Sequence, residues 1–181
     1  NDQEIRQALY QGKATELIER LAESEEFKKA TQNAIHDDRM TDREYATRFL
    51  AFTELDYRKK YEGNIDNFLI KALRLVNTYG DEEIARIEVK FKNIMKYCTK
   101  IFDRFAFRKF NEDRRRGPIN KALFEMWVVC FCELTTKQLD RIVNDREYFL
   151  EQFGVLLQNK EFVSALKAGD RYSTVRRIDM A

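Results

Sequence analysis

The sequence predicts an all-α fold, a multi-helix bundle packed around one buried central helix. Three observations lead there. Glycine and proline are scarce, with 6 Gly and 1 Pro in 181 residues, too few for the many tight turns of an all-β chain. Apolar residues recur at three- and four-residue spacing in segment after segment, which is how helices turn one face to a core. The segment Ile119 to Leu134 is apolar around nearly its whole circumference, as suits a helix with almost no solvent face.

Length and composition set the frame. A chain of 181 residues fits a single helical domain over 1–181. At that size roughly two-thirds of the unfolded surface is buried on folding, so no staples are required. Hydrophobic residues at 44%, with 14 Phe, supply the core and argue against disorder. Charged residues at 35% mix both signs, and the net charge is only +2. Phosphate binding would therefore come from a local patch rather than a global field. The three cysteines, Cys98, Cys130 and Cys132, are odd in number and read as buried reduced thiols of a cytoplasmic protein. With no CxxC and a single histidine, His36, a structural zinc site is not expected. The longest strictly apolar run, Met126 to Cys132, is far shorter than the roughly 18 residues of a membrane span. The chain begins at Asn1 without methionine and is read as a segment of a longer protein.

In chain order, Asp2 to Tyr10 is a short helix with Ile5 and Leu9 on one face, ended by Gly12. Lys13 to Glu23 repeats the pattern with Leu17, Ile18 and Leu21. Ser24 caps a helix led by Glu25 and Glu26, whose charge complements the helix dipole. His36 to Met40 is a polar break. Thr41-Asp42-Arg43-Glu44 matches a capping box, opening a helix with Tyr45, Phe49, Leu50 and Phe52. Tyr57 to Gly63 is a basic, polar connection. Ile65, Phe68, Leu69, Ala72, Leu73 and Val76 mark the next helix, closed by Gly80. Asp81 opens the longest one, with a stripe from Ile84 through Phe91, Ile94, Cys98 and Phe102 to Phe105. Its span of about three heptads suits packing inside a bundle better than a coiled coil. Phe107 to Pro118 is the main irregular stretch, and Pro118 can begin the helix that follows. From Thr136 the chain reads as two or three helices with Leu139, Phe149, Leu150, Phe153, Leu156, Phe162 and Leu166, and Gly169 breaks the last link before Arg176, Arg177 and Ile178.

Little of this is catalytic in character. His36 sits beside Asp37 and Asp38 and reads as a solvated turn residue. The carboxylate pairs Glu25/Glu26, Asp37/Asp38 and Glu82/Glu83 fall at helix starts or turns, where dipole complementation accounts for them. No glycine-rich phosphate loop of either common spacing is present, so this chain alone is not expected to be an enzyme, and it has no cofactor of its own. The strongest charge feature is Arg108 to Arg116, with five basic and two acidic residues. Arg108, Lys109, Arg114, Arg115 and Arg116, with Phe110 beside them, suit a phosphate backbone; the plainer reading is a solvated loop. Arg171, Arg176 and Arg177 form a second, weaker basic group.

The opening Asn1-Asp2-Gln3-Glu4-Ile5-Arg6-Gln7-Ala8-Leu9-Tyr10 resembles the start of the helical half of GmrSD-like bacterial defence proteins. Arg39-Met40-Thr41-Asp42-Arg43-Glu44 with Arg48-Phe49-Leu50-Ala51-Phe52 is similar to the next helix of that family. Asn120-Lys121-Ala122-Leu123-Phe124-Glu125 and Ser173-Thr174-Val175-Arg176-Arg177-Ile178 resemble later landmarks, in the same order. The resemblance implies the C-terminal helical portion of a longer protein, whose upstream ParB/sulfiredoxin-like domain hydrolyses nucleotide. It implies work in restriction and anti-phage defence, with that upstream domain, DNA and another defence-system subunit as partners, and no membrane. Nuclease chemistry is not implied, because the HNH pattern of some members is missing. Asn1, Glu4 and Arg6 would sit nearest the upstream domain and line a nucleotide cleft. Arg43 and Arg48 would reach that cleft if their helix packs beside the first. Capping and ion pairing is the alternative role for each of these residues. Two alternatives to the whole reading stand: a protein-interaction scaffold with no nucleic-acid role, and a helical enzyme whose site is assembled from scattered carboxylates.

Overall fold

The structure, a computed structural model, describes residues 2–111, 113 and 115–181, with only the backbone of Gln7. Asn1, Glu112 and Arg114 lie outside the described residues. The chain folds as an all-α multi-helix bundle with one small hairpin. The N-terminal helices are α1 (Asp2–Leu9), α2 (Lys13–Glu23), α3 (Glu25–Thr31), α4 (Thr41–Glu54) and the single turn α5 (Tyr57–Lys60). Next come α6 (Ile65–Val76) and the long α7 (Asp81–Phe102), then strands β1 (Arg108–Phe110) and β2 (Arg116–Ile119). The chain closes with α8 (Lys121–Glu133), α9 (Thr136–Asn144), α10 (Arg146–Gln158), α11 (Lys160–Ala165) and α12 (Arg171–Asp179).

The core forms where the apolar stripes meet. Helix α4 packs on α2, α6 and α8, while α3 lies along α7. From α7, Ile87, Phe91, Met95, Cys98, Ile101 and Phe102 are fully buried. Helix α8 joins two aromatic clusters. Phe124 meets the rings of Tyr45 at 5.1 Å and Phe107 at 4.9 Å. One turn on, Trp127 meets Phe102 at 4.9 Å and Phe153 at 5.0 Å. Aromatic pairs at these separations contribute beyond the area they bury. As expected, α8 is buried nearly all round, and Asn120 caps it by accepting from the Leu123 amide at 3.1 Å. Ser24 caps α3 as predicted, accepting from the Phe27 amide.

Several local expectations are corrected. Thr41 and Glu44 form no capping box. Arg39 and Met40 both adopt left-handed backbone conformations, so the helix is entered from Met40 and Thr41 already lies inside it. The Thr41 hydroxyl donates to the Asp38 carbonyl at 2.8 Å, and the Glu44 carboxylate is taken by Arg48 and Lys121. Gly80 does not close α6, which ends at Val76; it opens α7 instead, its amide donating to the Glu83 carboxylate at 2.8 Å. The connection at Tyr57 to Gly63 holds a helical turn and buries Tyr57 and Tyr61 against Phe52. Three helices, α9 to α11, occupy the stretch from Thr136 to Ala165, and the segment after Gly169 forms a fourth, α12.

The two ends of the stretch Phe107 to Pro118 are not irregular. They pair as antiparallel strands, with Arg108 opposite Ile119 and Phe110 opposite Arg116, and a register shift between them. Phe110 anchors the pair by packing on Phe105 and Phe153. Pro118 lies within β2 and does not begin a helix; a two-stranded ribbon leaves edges that need no amide donor there.

Helix α1 is inside out. Ile5 is 57% exposed and Leu9 70% exposed, while Gln3 and Arg6 are buried. The polar face wins because it finds partners: Gln3 donates to the Thr47 hydroxyl at 3.2 Å, and Arg6 pairs with Asp66 at 2.6 Å.

The cysteines carry free thiols, Cys98 buried and Cys130 and Cys132 partly so. Burial pushes Cys98 well above the ordinary thiol value, Cys130 up to about 12 and Cys132 to about 11, which keeps them in the unreactive thiol form. Among the described residues no helix is long and apolar enough to cross a membrane.

Candidate functional site

Helix α8 contains one residue that its composition does not explain. Glu125 stands between Phe124 and Met126 on the buried helix and is 3% exposed. A carboxylate in such a place is tolerated only when paired and hydrogen-bonded. Two arginines from distant parts of the chain meet it. Arg48, on the buried run of α4, donates from Nη1 to Glu125 Oε1. Arg177, on α12, donates from Nη2 to Glu125 Oε2 at 2.6 Å. The second Arg177 terminal nitrogen donates to the carbonyls of Ala165 and Ala168 at 3.2 and 3.1 Å. Its Nε–H is buried with no acceptor.

The network continues outward from Arg48. Its Nε and Nη2 donate to Glu44 Oε1 at 3.0 and 2.7 Å. The Glu-to-Arg spacing of four, with the acid on the N-terminal side, is the favoured helix orientation. Lys121 closes the chain on both Glu44 oxygens, at 2.8 and 2.7 Å. Burial would raise the Glu44 carboxyl, but Lys121 and Arg48 outweigh it and hold the group below the ordinary carboxylate value. Burial likewise opposes the charge on Arg48, and Glu125 and Glu44 overcome it. The charges thus alternate, Lys121, Glu44, Arg48, Glu125, Arg177, and end positive at both ends.

An open cavity of about 550 Å³ lies against this network. Tyr45, Arg48, Glu125 and Arg177 form part of its wall, with Lys121 at the start of α8 and Lys167 on the loop before α12. Four cationic side chains and one carboxylate line it, an excess of positive charge that persists when Glu44 is counted. Tyr45 is 4% exposed, and its hydroxyl has no hydrogen-bond partner among the described residues. Burial keeps that phenol neutral far above its usual range, so it remains a donor at every physiological pH.

The sequence-predicted residues are only partly gathered here. Helix α1 does pack beside α4, but Arg6, Arg43 and Arg48 turn to different helices. Arg6 pairs with Asp66 of α6, Arg43 with Glu19 of α2 at 2.5 Å, and Arg48 with Glu125 of α8. Glu4 is exposed on α1, and Asn1 lies outside the described residues. Of the hairpin cations, Arg108 is buried and donates to the Gly117 carbonyl at 2.9 Å, serving the hairpin itself. Lys109 is half-buried, and burial together with Lys167 depresses its ammonium. Arg115 and Arg116 are exposed. Arg116 donates to the Gln32 side chain, while the Arg115 guanidinium has no carboxylate partner among the described residues. Arg114 lies outside them. In the second basic group only Arg177 joins the cavity; Arg171 holds the Arg58 carbonyl and Arg176 pairs with Glu161 at 2.6 Å.

Sequence reasoning did not single out Tyr45, Lys121, Glu125 or Lys167 as site residues. One signal was present for Glu125 and Arg48: a charged residue inside an apolar helical run demands a buried partner of opposite sign.

Other grooves offer less. One of about 670 Å³ between the hairpin and α10 is lined by Phe110, Leu150 and Val155, and includes Asp113 and Glu151. Another includes Asp56 and Glu133. All four carboxylates are exposed, and Lys59 holds Asp56 below the ordinary value. Neither pair has the contrasting, protected environments that acid–base catalysis uses. His36 is exposed in its turn. Among the described residues no three potential ligands cluster to hold a metal ion. No protein-family model, curated protein or solved structure matches this chain.

Proposed function

We propose that this chain is the helical module of a GmrSD-like restriction or anti-phage defence protein, and that its own contribution is binding a nucleic-acid phosphate backbone through the basic hairpin. The observation that carries this is the exposure of Arg115 and Arg116 on a ribbon anchored to the core by Phe110. A ribbon held at its base presents its guanidiniums at a defined place, with less ordering cost on binding than a free loop. In this reading the module works in the cytoplasm, packed against an upstream ParB-like domain that hydrolyses nucleotide, with DNA and another defence-system subunit as further partners. The order of the Asn1, Arg39, Asn120 and Ser173 landmarks supports that placement.

The test is DNA affinity as a function of salt, for the protein and for Arg115→Glu/Arg116→Glu. Phosphate binding predicts a linear fall of log affinity with log salt, whose slope shrinks by about 0.9 for each phosphate that is no longer neutralised. Unchanged affinity at low salt in the folded variant sinks the reading. Nucleotide hydrolysis with and without the upstream domain tests the other half, activity being expected only when that domain is present.

A second reading, a protein-interaction scaffold, is favoured by one observation. Ile5 and Leu9 form an apolar face on α1 that points to solvent. It predicts partner binding that is insensitive to salt and abolished in Ile5→Asp/Leu9→Asp.

A further inference from the structure

The cavity beside Glu125 has features that the hairpin reading does not use. Its lining cations come from four separate elements: Arg48 on α4, Lys121 on α8, Lys167 on the loop after α11, and Arg177 on α12. Lys167 is exposed at the rim of this space and has no carboxylate partner among the described residues. Tyr45 contributes a hydroxyl, also unpartnered. The first turn of α8 borders the same space through Lys121 and Ala122, and a helix N-terminus favours negative charge. An unpartnered hydroxyl, surplus positive charge and an open volume therefore coincide.

We propose that this cavity is a binding site for a phosphate or phosphomonoester group, held between Tyr45, Lys121 and Lys167 over the Arg48–Glu125–Arg177 network. The donors approach from α4, from the start of α8 and from the loop before α12. A tetrahedral group with several acceptor oxygens meets donors on three sides, whereas a planar carboxylate meets them on two. Lys121 reaches the group while keeping its bond to Glu44, because an ammonium has three donors. The bound anion restores the charge balance of a network that ends positive at both ends. It also ties α12 to α4 and α8.

Inorganic phosphate is the first probe, titrated at constant ionic strength against chloride while amide chemical shifts of Tyr45, Lys121 and Lys167 are followed. The expected result is a saturable shift at these positions, weakened about tenfold or more, which is about 1.4 kcal/mol, in both Tyr45→Phe and Lys167→Glu. Arg115→Glu/Arg116→Glu is expected to leave it unchanged, so this site and the hairpin fail or stand separately. Both cavity substitutions are mild: one removes a single unpartnered oxygen and the other lies at an exposed position. A 5′-phosphorylated oligonucleotide compared with its 5′-hydroxyl counterpart identifies the source. Preference for the phosphorylated end assigns the site to nucleic-acid termini, and equal binding of the two beside saturable phosphate assigns it to small phosphorylated molecules. A response that does not saturate, matches chloride, or survives both Tyr45→Phe and Lys167→Glu overturns the proposal.

Discussion

Two groups of arginines divide this molecule. One is contiguous in sequence, the hairpin run from Arg108 to Arg116. The other is scattered, Arg48 and Arg177, joined through Glu125 across 77 and 52 residues of chain. The contiguous group draws the eye, yet its first member is consumed by the hairpin and only Arg115 and Arg116 are seen to face solvent. The scattered group is buried, almost fully satisfied, and borders a cavity. Charge density along a chain reports where cations are, whereas burial and pairing decide what they do. A solvated guanidinium is screened and adaptable. A buried one is fixed by its partners and costs several kcal/mol if they are removed.

That contrast can be broken at its strongest point first. Glu125→Ala leaves two buried guanidiniums facing each other, and a loss of about 3–5 kcal/mol in urea unfolding is expected. A loss below about 1 kcal/mol would show that Arg48 and Arg177 reach solvent. Second, the combined replacement Arg48→Met/Glu125→Leu/Arg177→Met removes all three charges together. It is expected to be less destabilised than Glu125→Ala alone, because no uncompensated charge is left behind. Third, Glu44 tests the outer part of the network by pH. Its folded value is lowered, so its contribution is complete above the unfolded value of about 4.3 and is lost as pH falls through the lower folded value. Unfolding midpoints of the protein and of Glu44→Gln should therefore differ at pH 7 and converge once the pH has fallen below the lowered folded value. A difference that persists in acid would mean that Glu44 acts through packing. Smallest of all, Arg115→Ala/Arg116→Ala should change stability by no more than about 0.5 kcal/mol per site in the same urea unfolding.

How much of this was legible depends on the range of the interaction involved. The stripe on α7 and the all-round burial of α8 were readable because helical periodicity is local. So was the Ser24 cap, which acts over three residues. The Thr41–Glu44 motif failed for the opposite reason. Its spacing is that of a capping box, but Glu44 is drawn to Arg48 one turn on and to Lys121 far along the chain. Helix α1 shows the same limit. Its two apolar residues share a face as the spacing says, but Thr47 and Asp66 supply the polar partners that turn that face outward. Cross-strand pairing of Arg108 with Ile119 was also hidden, since a three-residue strand carries no periodicity to detect.

By itself the sequence determined the helical class, the order of the main helices, the identity of the buried central one and the location of the dense basic run. These follow from backbone propensity and from apolar spacing within a few turns, both of which are written locally. The tertiary structure alone decided that Glu125 is shared by two arginines, that Lys167 and Tyr45 border one cavity, and that Arg108 is occupied by its own hairpin while Arg115 is exposed. Those outcomes depend on desolvation and on charges brought together from distant segments. Their sign changes with whether a partner stands across the gap, and no local pattern of residues records that.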